Sequence, residues 1–267
     1  MTRGVYTVAF GEPARACARR LIASIRSQMP GLPVTLVGAE RLGMEDVFVA
    51  APDADVGGRR AKLSIWDLAP AEWDRVLYLD ADTELVRPID PLFDWLDSWD
   101  FTICRDVGES LHSYQRRNNL AEFFEVRAKV GSLWACQYNG GVWSFRRSDA
   151  AKRFLARWRS EYEVHLQRDQ GALVRALWAE PLRVLVLDHT WNCFPKYTPA
   201  HLPTAAIRHY PEDARRWRGK LPGRIDDQRA WEIVRKWEGD RKTRTSYPIS
   251  PELRSWLKDQ PGKRGTE

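Results

Sequence analysis

The chain has 267 residues, which is long enough to bury a full hydrophobic core in one large domain. Its 43% hydrophobic and 29% charged residues are ordinary for a soluble protein. Its four widely spread cysteines, with no CxxC pair and no histidine at zinc-finger spacing, indicate neither a disulfide framework nor a structural zinc site, and a cytoplasmic location is expected.

A local excess of positive charge lies late in the chain. Between Arg215 and Arg244, eleven Lys or Arg stand against five Asp or Glu, a surplus equal to the net charge of +6 of the whole chain. Trp217, Trp231 and Trp237 are interleaved with these charges. Such a region can bind an anionic partner through charge and stacking. It can equally be a solvated amphipathic helix whose tryptophans face the core.

The first predicted element is a strand at Val5–Phe10, which ends where Gly11 begins a polar turn. This apolar run is too short for a membrane span or a signal peptide. Predicted helices follow at 14–26, 59–68, 92–96, 149–162, 172–178, 227–238 and 251–258, and predicted strands at 34–37, 47–50, 76–79, 101–104, 142–145, 184–187 and 205–208. This alternation predicts an α/β fold built from βαβ units with parallel strands.

An aspartate pair follows the strongest predicted strand. Val76 to Leu79 form an uninterrupted apolar run, typical of a buried parallel strand, and Asp80 and Asp82 come directly after it. Ligands bind at this carboxyl edge in open α/β sheets. Two carboxylates repel each other by about 4 kcal/mol at about 4 Å and an effective dielectric of about 20, and a cation would remove this penalty. The alternative is a solvated pair of strand-end acids.

Two other segments have a predicted role in binding, one for an anionic group and one for the acceptor. Gly57 and Gly58 precede a basic helix start that includes Lys62, and free amides, the helix dipole and cationic side chains all favour negative charge. The polar stretch Gly108–Lys129 is predicted to be a functional loop that contains a helix and forms a flap or an acceptor contact.

Two later segments have both a functional and a structural interpretation. Gly140 and Gly141 permit close backbone approach to a ligand, and the Asn139 amide can donate to and accept from a sugar hydroxyl. The same glycines are compatible with an ordinary turn or bulge. Asp169 opens a predicted helix, where it either takes part in chemistry or is only the N-cap.

Four separated motifs and a late histidine occur in one order along the chain. They are KLSIW from Lys62, the aspartates in LYLDADTELVRPIDPLF, NGGV from Asn139, DQGAL from Asp169, and His209 at a strand end. This order resembles the GT-A glycosyltransferases of the glycogenin and bacterial galactosyltransferase type, known as family 8 of the nucleotide-sugar transferases. The resemblance covers roughly residues 5–217. It implies a GT-A, Rossmann-like domain at 1–217 with a mixed, mainly parallel sheet flanked by helices, and a helical basic extension at 218–267.

The resemblance also implies a metal-dependent, retaining hexosyltransferase. In that family the two acids of the DxD motif and a late His hold Mn²⁺, which binds the diphosphate of a UDP-sugar; here Asp80, Asp82 and His209 would be the ligands, with Mg²⁺ as an alternative. Asp169 and Gln170 match the pair below the donor's anomeric carbon, where a nucleophile or a stabiliser of the oxocarbenium-like transition state would sit. A covalent and a front-face mechanism both stay open.

Donor contacts are implied for Ala9, Phe10, Lys62, Asp80, Ala81, Asn139, Gly140, Gly141 and Arg215. The chain departs from the family pattern at Glu212, where the family has Gly. It also departs at Phe10, Gly11 and Ala14, where the family commonly has a Thr-Asn pair and a Tyr that stacks on uracil. The sequence therefore predicts that the donor's diphosphate is bound but leaves open which base the donor carries.

The predicted reaction moves a hexose from a nucleotide-diphosphate sugar to a hydroxyl acceptor. The basic region indicates an anionic acceptor, such as a hydroxyl-bearing modified base in DNA or a saccharide. One alternative is a nucleic-acid or glycan binding module on a degenerate transferase fold. Another is a haloacid-dehalogenase-type phosphatase, although Glu84 stands where those enzymes have Thr or Val. The oligomeric state is left open.

Overall fold

The computed structural model describes residues 2–51, 58–111, 120–132, 134–165 and 169–211. Within these residues the chain forms one seven-stranded sheet and one two-stranded sheet. The strands are β1 (Arg3–Ala9), β2 (Val34–Gly38), β3 (Val47–Ala50), β4 (Arg75–Leu79), β5 (Thr83–Leu85), β6 (Phe101–Ser110), β7 (Cys136–Arg146), β8 (Val184–Leu187) and β9 (Ile207–His209).

Helices connect these strands and cover the large sheet. They are α1 (Glu12–Gln28), α2 (Gly58–Leu63), α3 (Ile65–Leu68), α4 (Pro91–Asp94), α5 (Leu120–Val130), α6 (Asp149–His165) and α7 (Asp169–Ala179), with short 3₁₀ turns at Trp95–Asp97 and Pro199–His201. Helix α6 begins where predicted, because the Ser148 hydroxyl accepts a hydrogen bond from the backbone N–H of Ala151 (3.2 Å). No helix in the described part of the chain has the length and apolar character needed to cross a bilayer.

The strand order of the large sheet is β3-β2-β1-β4-β7-β6-β8. Strands β1, β2, β3 and β4 pair in parallel, and β8 is parallel to β6. Strand β7 runs antiparallel to both of its neighbours, β4 and β6. The prediction of a mixed, mainly parallel sheet flanked by helices is therefore confirmed.

Successive side chains of the central strands lie on opposite faces of the sheet and pack into two separate core layers. Val76 and Tyr78 of β4 belong to one layer, which also receives Trp143 from β7 and Trp158 from α6. Leu77 and Leu79 belong to the other, together with the α1 and α4 side chains Leu21, Ile22, Ile25, Leu92 and Phe93. Because β4 is buried on both faces, only its carboxyl end can present polar groups to a ligand, and the chain changes there from Leu79 to Asp80.

Three local predictions need correction or fall outside the described residues. Asn139, Gly140 and Gly141 lie inside β7 rather than ahead of a strand. The last strand is Ile207–His209, so the predicted range 205–208 is shifted, and β5 was not predicted. The two predicted C-terminal helices and the boundary at 217 and 218 lie outside the described residues.

Candidate active site

The carboxyl end of β4 holds the first aspartate in a defined position. The backbone N–H of Asp80 donates to the Gly141 carbonyl of the antiparallel neighbour β7 (2.8 Å). The Tyr78 hydroxyl donates to Asp80 Oδ1 (2.6 Å). The same buried strand therefore supplies both the carboxylate and a hydrogen bond that orients it.

His209 reaches the aspartates through the small sheet. Strand β5 pairs antiparallel with β9, so Thr83 lies opposite His209. The backbone N–H of Tyr210 donates to the Asp82 carbonyl (2.8 Å), and that of His209 donates to the Cys193 carbonyl (2.7 Å). Although His209 is far from the aspartates in sequence, this pairing fixes it beside Asp82.

Asp80, Asp82 and His209 form one compact group. Each offers a ligand atom, and these atoms lie within 4.8 Å of one another. His209 Nε2 is 3.2 Å from Asp82 Oδ1 and 3.8 Å from Asp80 Oδ2. The predicted metal ligands are therefore close enough to share one cation.

Two carboxylates and one imidazole lie close together in this group, and this closeness shifts the pKa values of Asp80 and His209. Burial raises the pKa of Asp80, with Lys62 opposing and Asp82 reinforcing the shift; because 33% of the Asp80 side chain is exposed, solvent screens the effect. Burial alone would lower the pKa of His209, but the charges of Asp82 and Asp80 raise it. The raised pKa of His209 shows that the neighbouring carboxylates favour positive charge at this place.

Lys62 and Asp169 form a buried ion pair beside the aspartates. Lys62 Nζ contacts Asp169 Oδ2 and lies 4.0 Å from Asp80 Oδ1, and its ammonium group is 4.8 Å from the centre of the Tyr78 ring. Burial opposes the ionisation of Asp169, but the charges of Lys62 and Arg59 hold its pKa below the usual range. Asp169 is therefore a carboxylate at neutral pH.

Gly140 and Gly141 are required by the closeness of these groups. A Cβ atom at Gly141 would lie 2.4 Å from His209 Cε1 and 2.7 Å from Asp80 Oδ2. A Cβ atom at Gly140 would lie 2.8 Å from Lys62 Nζ. The predicted close approach of the glycine backbone is thus directed at the acids, the imidazole and the lysine. No turn occurs here, but the pairing of β7 with β6 shifts register between Trp143 and Asn139, so the glycines lie in a β-bulge or irregularity, as the alternative interpretation predicted.

Asn139 and Gln170 are joined through Asp106, a fully buried residue of β6. Asp106 Oδ2 accepts from Asn139 Nδ2 (3.1 Å) and from Gln170 Nε2 (2.9 Å). Gln170 Nε2 also donates to the Tyr138 carbonyl (3.0 Å). The structure therefore places Asn139 and Gln170 in one hydrogen-bonded group, which extends from β7 to the first turn of α7.

The other predicted donor contacts lie around this centre. Ala9 and Ala81 pack together in a small apolar cluster at the ends of β1 and β4. Phe10 is half-buried and packs against the first core layer. In the basic helix α2, Arg60 pairs with Glu163 of α6 (2.7 Å), so the predicted anion site there is reduced to Lys62 and its neighbours. Arg215 lies outside the described residues.

Sequence reasoning missed three buried residues of the site, namely Tyr78, Asp106 and Asn192. Tyr78 was assigned only to the apolar run, yet its hydroxyl points at Asp80. Asn192 lies in the segment after β8, and its side chain bonds to His209 (2.9 Å). The only signal for these residues was a polar group within an otherwise apolar or strand-like stretch, which is too weak to identify a partner.

Comparison with known proteins agrees with this geometry. The model of glycosyl transferase family 8 matches residues 61–218. No curated protein matches the sequence significantly. The fold is similar to the apo structure of the bifunctional glycosyltransferase WbbM, with a TM-score of 0.58 and 14% identity over 79% of this chain and 46% of that chain. The chain thus spans about half the length of WbbM.

Two further solved structures share the fold. Mouse xyloside xylosyltransferase 1 in its apo form has a TM-score of 0.53 and 15% identity over 80% of this chain and 99% of that chain. The galactosyltransferase LgtC in complex with donor and acceptor sugar analogues has a TM-score of 0.52 and 17% identity over 94% of this chain and 99% of that chain. These likenesses show a GT-A fold. Because the family model matches more than half of its residues, the chain belongs to glycosyl transferase family 8 and is a glycosyltransferase.

Proposed function

We propose that this glycosyltransferase is metal-dependent and retaining, and that it moves a hexose from a nucleotide-diphosphate sugar to a hydroxyl acceptor. The observation that carries the proposal is the convergence of Asp80, Asp82 and His209 within 4.8 Å in a chain of this family. The family assignment argues against the phosphatase alternative.

The donor set suits a divalent cation. Two carboxylates and one imidazole are compatible with Mn²⁺ and do not exclude Mg²⁺. When bound, the ion would neutralise charge on the leaving nucleoside diphosphate. The protein's own part is to hold the two carboxylates and His209 Nε2 in one place, through Tyr78 on one side and the pairing of β5 with β9 on the other.

Asp169 and Gln170 are proposed to act at the sugar. The Asp169 carboxylate is kept ionised by Lys62, so it can stabilise positive charge that develops at the anomeric carbon. Gln170 directs its amide nitrogen to Asp106 and Tyr138, which fixes the orientation of its side chain. Lys62, Asn139 and the two glycines of β7 surround the same place and are proposed donor contacts.

A cavity beside the metal site is the proposed place of the acceptor. It has a volume of about 120 Å³ and borders His209, Phe194, Lys196 and Tyr197. Aromatic rings suit the apolar face of a sugar or a base, and the Lys196 ammonium suits a negative group. This supports an anionic acceptor, either a saccharide or a hydroxyl-bearing modified base.

A panel of nucleotide-sugars tests the proposal. Mn²⁺ together with the right donor should raise Tm in a concentration-dependent way, because a ligand that binds only the native state stabilises it. The panel should include donors with bases other than uracil, because Phe10 and Ala14 replace residues that the family commonly uses at the uracil-binding position. Product anomers read by NMR should show retention; inversion would contradict the proposed chemistry.

Asp82→Asn should remove the Mn²⁺-dependent part of the Tm shift and reduce donor turnover by at least about 10²-fold. Asp67→Asn is the matched control, because it removes the same charge from a side chain that is 67% exposed and 3.7 Å from Arg159. If the wild-type protein bound the donor without turning it over, the binding-module alternative would be favoured. Phosphate release from a generic phosphoester without any nucleotide-sugar would favour the phosphatase.

A further inference from the structure

Asn192 lies at the junction of the metal-binding and sugar-binding halves of the site. It belongs to the segment between β8 and β9 and is fully buried. Its neighbour Cys193 forms a β-bridge with Arg208 and accepts the backbone hydrogen bond of His209 (2.7 Å). The backbone around Asn192 is therefore fixed against β9.

The side chain of Asn192 bonds to two residues of the site. Its Nδ2 donates to Asn139 Oδ1 (2.9 Å), and its Oδ1 lies 2.9 Å from His209 Nδ1. A direct side-chain path therefore links β7 to the imidazole.

The direction of every hydrogen bond along this path can be assigned from its ends. The backbone N–H of Gly141 can only donate, and it donates to Asn139 Oδ1 (2.8 Å). Asn139 Nδ2 in turn donates to Asp106 Oδ2 (3.1 Å). These two partners fix which end of the Asn139 amide is oxygen and which is nitrogen.

The orientation of Asn139 determines that of Asn192, because Asn139 Oδ1 must face an N–H. Asn192 therefore presents its Nδ2 to Asn139 and its carbonyl oxygen to His209. A carbonyl oxygen can only accept, so His209 Nδ1 carries the proton. In the neutral imidazole the lone pair is then on Nε2, which is the nitrogen that faces Asp82 and Asp80.

We infer that Asn192 is a positioning residue that holds His209 in the tautomer and ring orientation needed for Nε2 to bind a metal. The inference rests on the proposed metal-dependent function. It also gives Asn139 a second task besides sugar binding, since Asn139 sets the direction of the Asn192 amide. Removal of a group that orients a ligating histidine typically lowers metal affinity by about 10–100-fold.

Mn²⁺ titration of the protein without nucleotide-sugar tests the metal half of the inference. Asn192→Ala should weaken Mn²⁺ binding by about 10–100-fold. Asn192→Asp keeps an acceptor for His209 Nδ1 but loses the donor to Asn139, so it should retain Mn²⁺ affinity while raising the KM for the donor sugar. Equal losses of Mn²⁺ affinity in both variants would contradict the role of the carbonyl oxygen.

Thr102→Val is the matched control for loss of a buried hydrogen bond. The Thr102 hydroxyl bonds to Ser144 Oγ (2.7 Å), and both residues are fully buried in the same sheet. This variant should be destabilised to a similar degree as Asn192→Ala but should bind Mn²⁺ like the wild type. If Thr102→Val lost as much Mn²⁺ affinity as Asn192→Ala, the effect at Asn192 would be one of general stability and the inference would fail.

A metal-free measurement separates this inference from the proposed function. Ring-nitrogen NMR of His209 at alkaline pH, assigned with a His209→Gln variant, should show the Nδ1–H tautomer in the wild type and in Asn192→Asp, and a mixture in Asn192→Ala. An unchanged tautomer in Asn192→Ala would overturn the inference. If the wild type bound no Mn²⁺, the proposed function would fail, and the tautomer would still decide the role of Asn192.

Discussion

Helix α7 takes part in two polar clusters that differ in their balance of charge. Its first residue, Asp169, belongs to the candidate site, and Arg175, two turns later, belongs to what we call the ion cluster. The ion cluster consists of Glu122, Glu125, Lys129, Arg157, Glu161, His165 and Arg175 on α5, α6 and α7. Both clusters are largely buried, so their different compositions are informative.

The ion cluster is balanced. Its three glutamates face Lys129, Arg157 and Arg175 together with the imidazole of His165. The fully buried Arg175 binds Glu161 Oε2 (2.8 Å), Glu122 Oε1 (3.1 Å) and the Glu161 carbonyl (2.9 Å). A Cβ atom at Gly171 would lie 2.5 Å from Glu122 Oε1, so the helices are in close contact here. Such a cluster has no need of a ligand, and its role is to hold α5, α6 and α7 together.

The candidate site has an excess of acid. The carboxylates of Asp80, Asp82 and Asp169 face Lys62, the half-exposed Arg59 and the imidazole of His209. This comparison shows that burial of charged groups alone does not identify a functional site. The unbalanced negative charge, together with glycines that keep the site open to close approach, distinguishes it from the ion cluster.

The largest expected effect on stability is that of Arg175→Met. Loss of the guanidinium leaves Glu122 and Glu161 buried without their principal partner, so the free energy of unfolding should fall by about 3–5 kcal/mol in urea titrations. Asp82→Asn in the metal-free protein should stay within about 1 kcal/mol of the wild type, because relief of the repulsion from Asp80 offsets the loss of the charge that faces His209 Nε2. Similar losses in both variants would remove the distinction between the two clusters.

The pH dependence of stability gives the next largest effect. A hydrogen bond from His165 holds the pKa of Glu125 at about 2, below its ordinary 4.5, with burial opposing and Lys129 assisting. A lowered pKa stabilises the fold above pH 4.5, and this contribution is lost as pH falls toward 2. The shift alone corresponds to about 3 kcal/mol, and solvent at the partly exposed Glu125 side chain reduces this contribution.

Glu125→Gln should therefore be less stable than the wild type near neutral pH, and the difference in free energy of unfolding should shrink as the pH is lowered through the acid range. Denaturant titrations at several pH values measure this. A difference that stayed constant with pH would show that the Glu125 carboxylate is not held by these partners.

Gly141→Ala is expected to have a smaller effect on stability and to act on the site itself. The added methyl meets the buried imidazole of His209 and Asp80 Oδ2, so stability should fall by about 1–3 kcal/mol and Mn²⁺ binding should be lost. Gly140→Ala is its matched partner, because its methyl meets the flexible end of Lys62. It should retain Mn²⁺ binding and raise the KM for the donor, and the same phenotype in both variants would contradict this division of the site.

The sequence predicted most of the scaffold because the scaffold depends on local patterns. The apolar run at 76–79 is β4, and the apolar spacing from Cys17 to Ile25 is the buried face of α1. Strand β5 has only three residues and becomes a strand by pairing with β9, more than a hundred residues later. No local pattern reports such a contact.

The candidate site was predictable to the extent that motifs carried it. The acids after β4, Lys62, the two glycines and Asp169 are brought together as the resemblance implied. Asp106 and Asn192 could not be predicted, because a buried polar residue has meaning only through its partner, and those partners come from other strands. Arg215 and the basic region lie beyond the described residues.

The pairing of β5 with β9 has a consequence for biosynthesis. The aspartates are translated well before His209. The two-stranded sheet that positions the imidazole can form only after β9 has left the ribosome. A nascent chain that stops short of β9 would possess both carboxylates but neither the imidazole nor the carbonyl contact between Tyr210 and Asp82. The group of Asp80, Asp82 and His209 is therefore complete only once β9 has paired with β5.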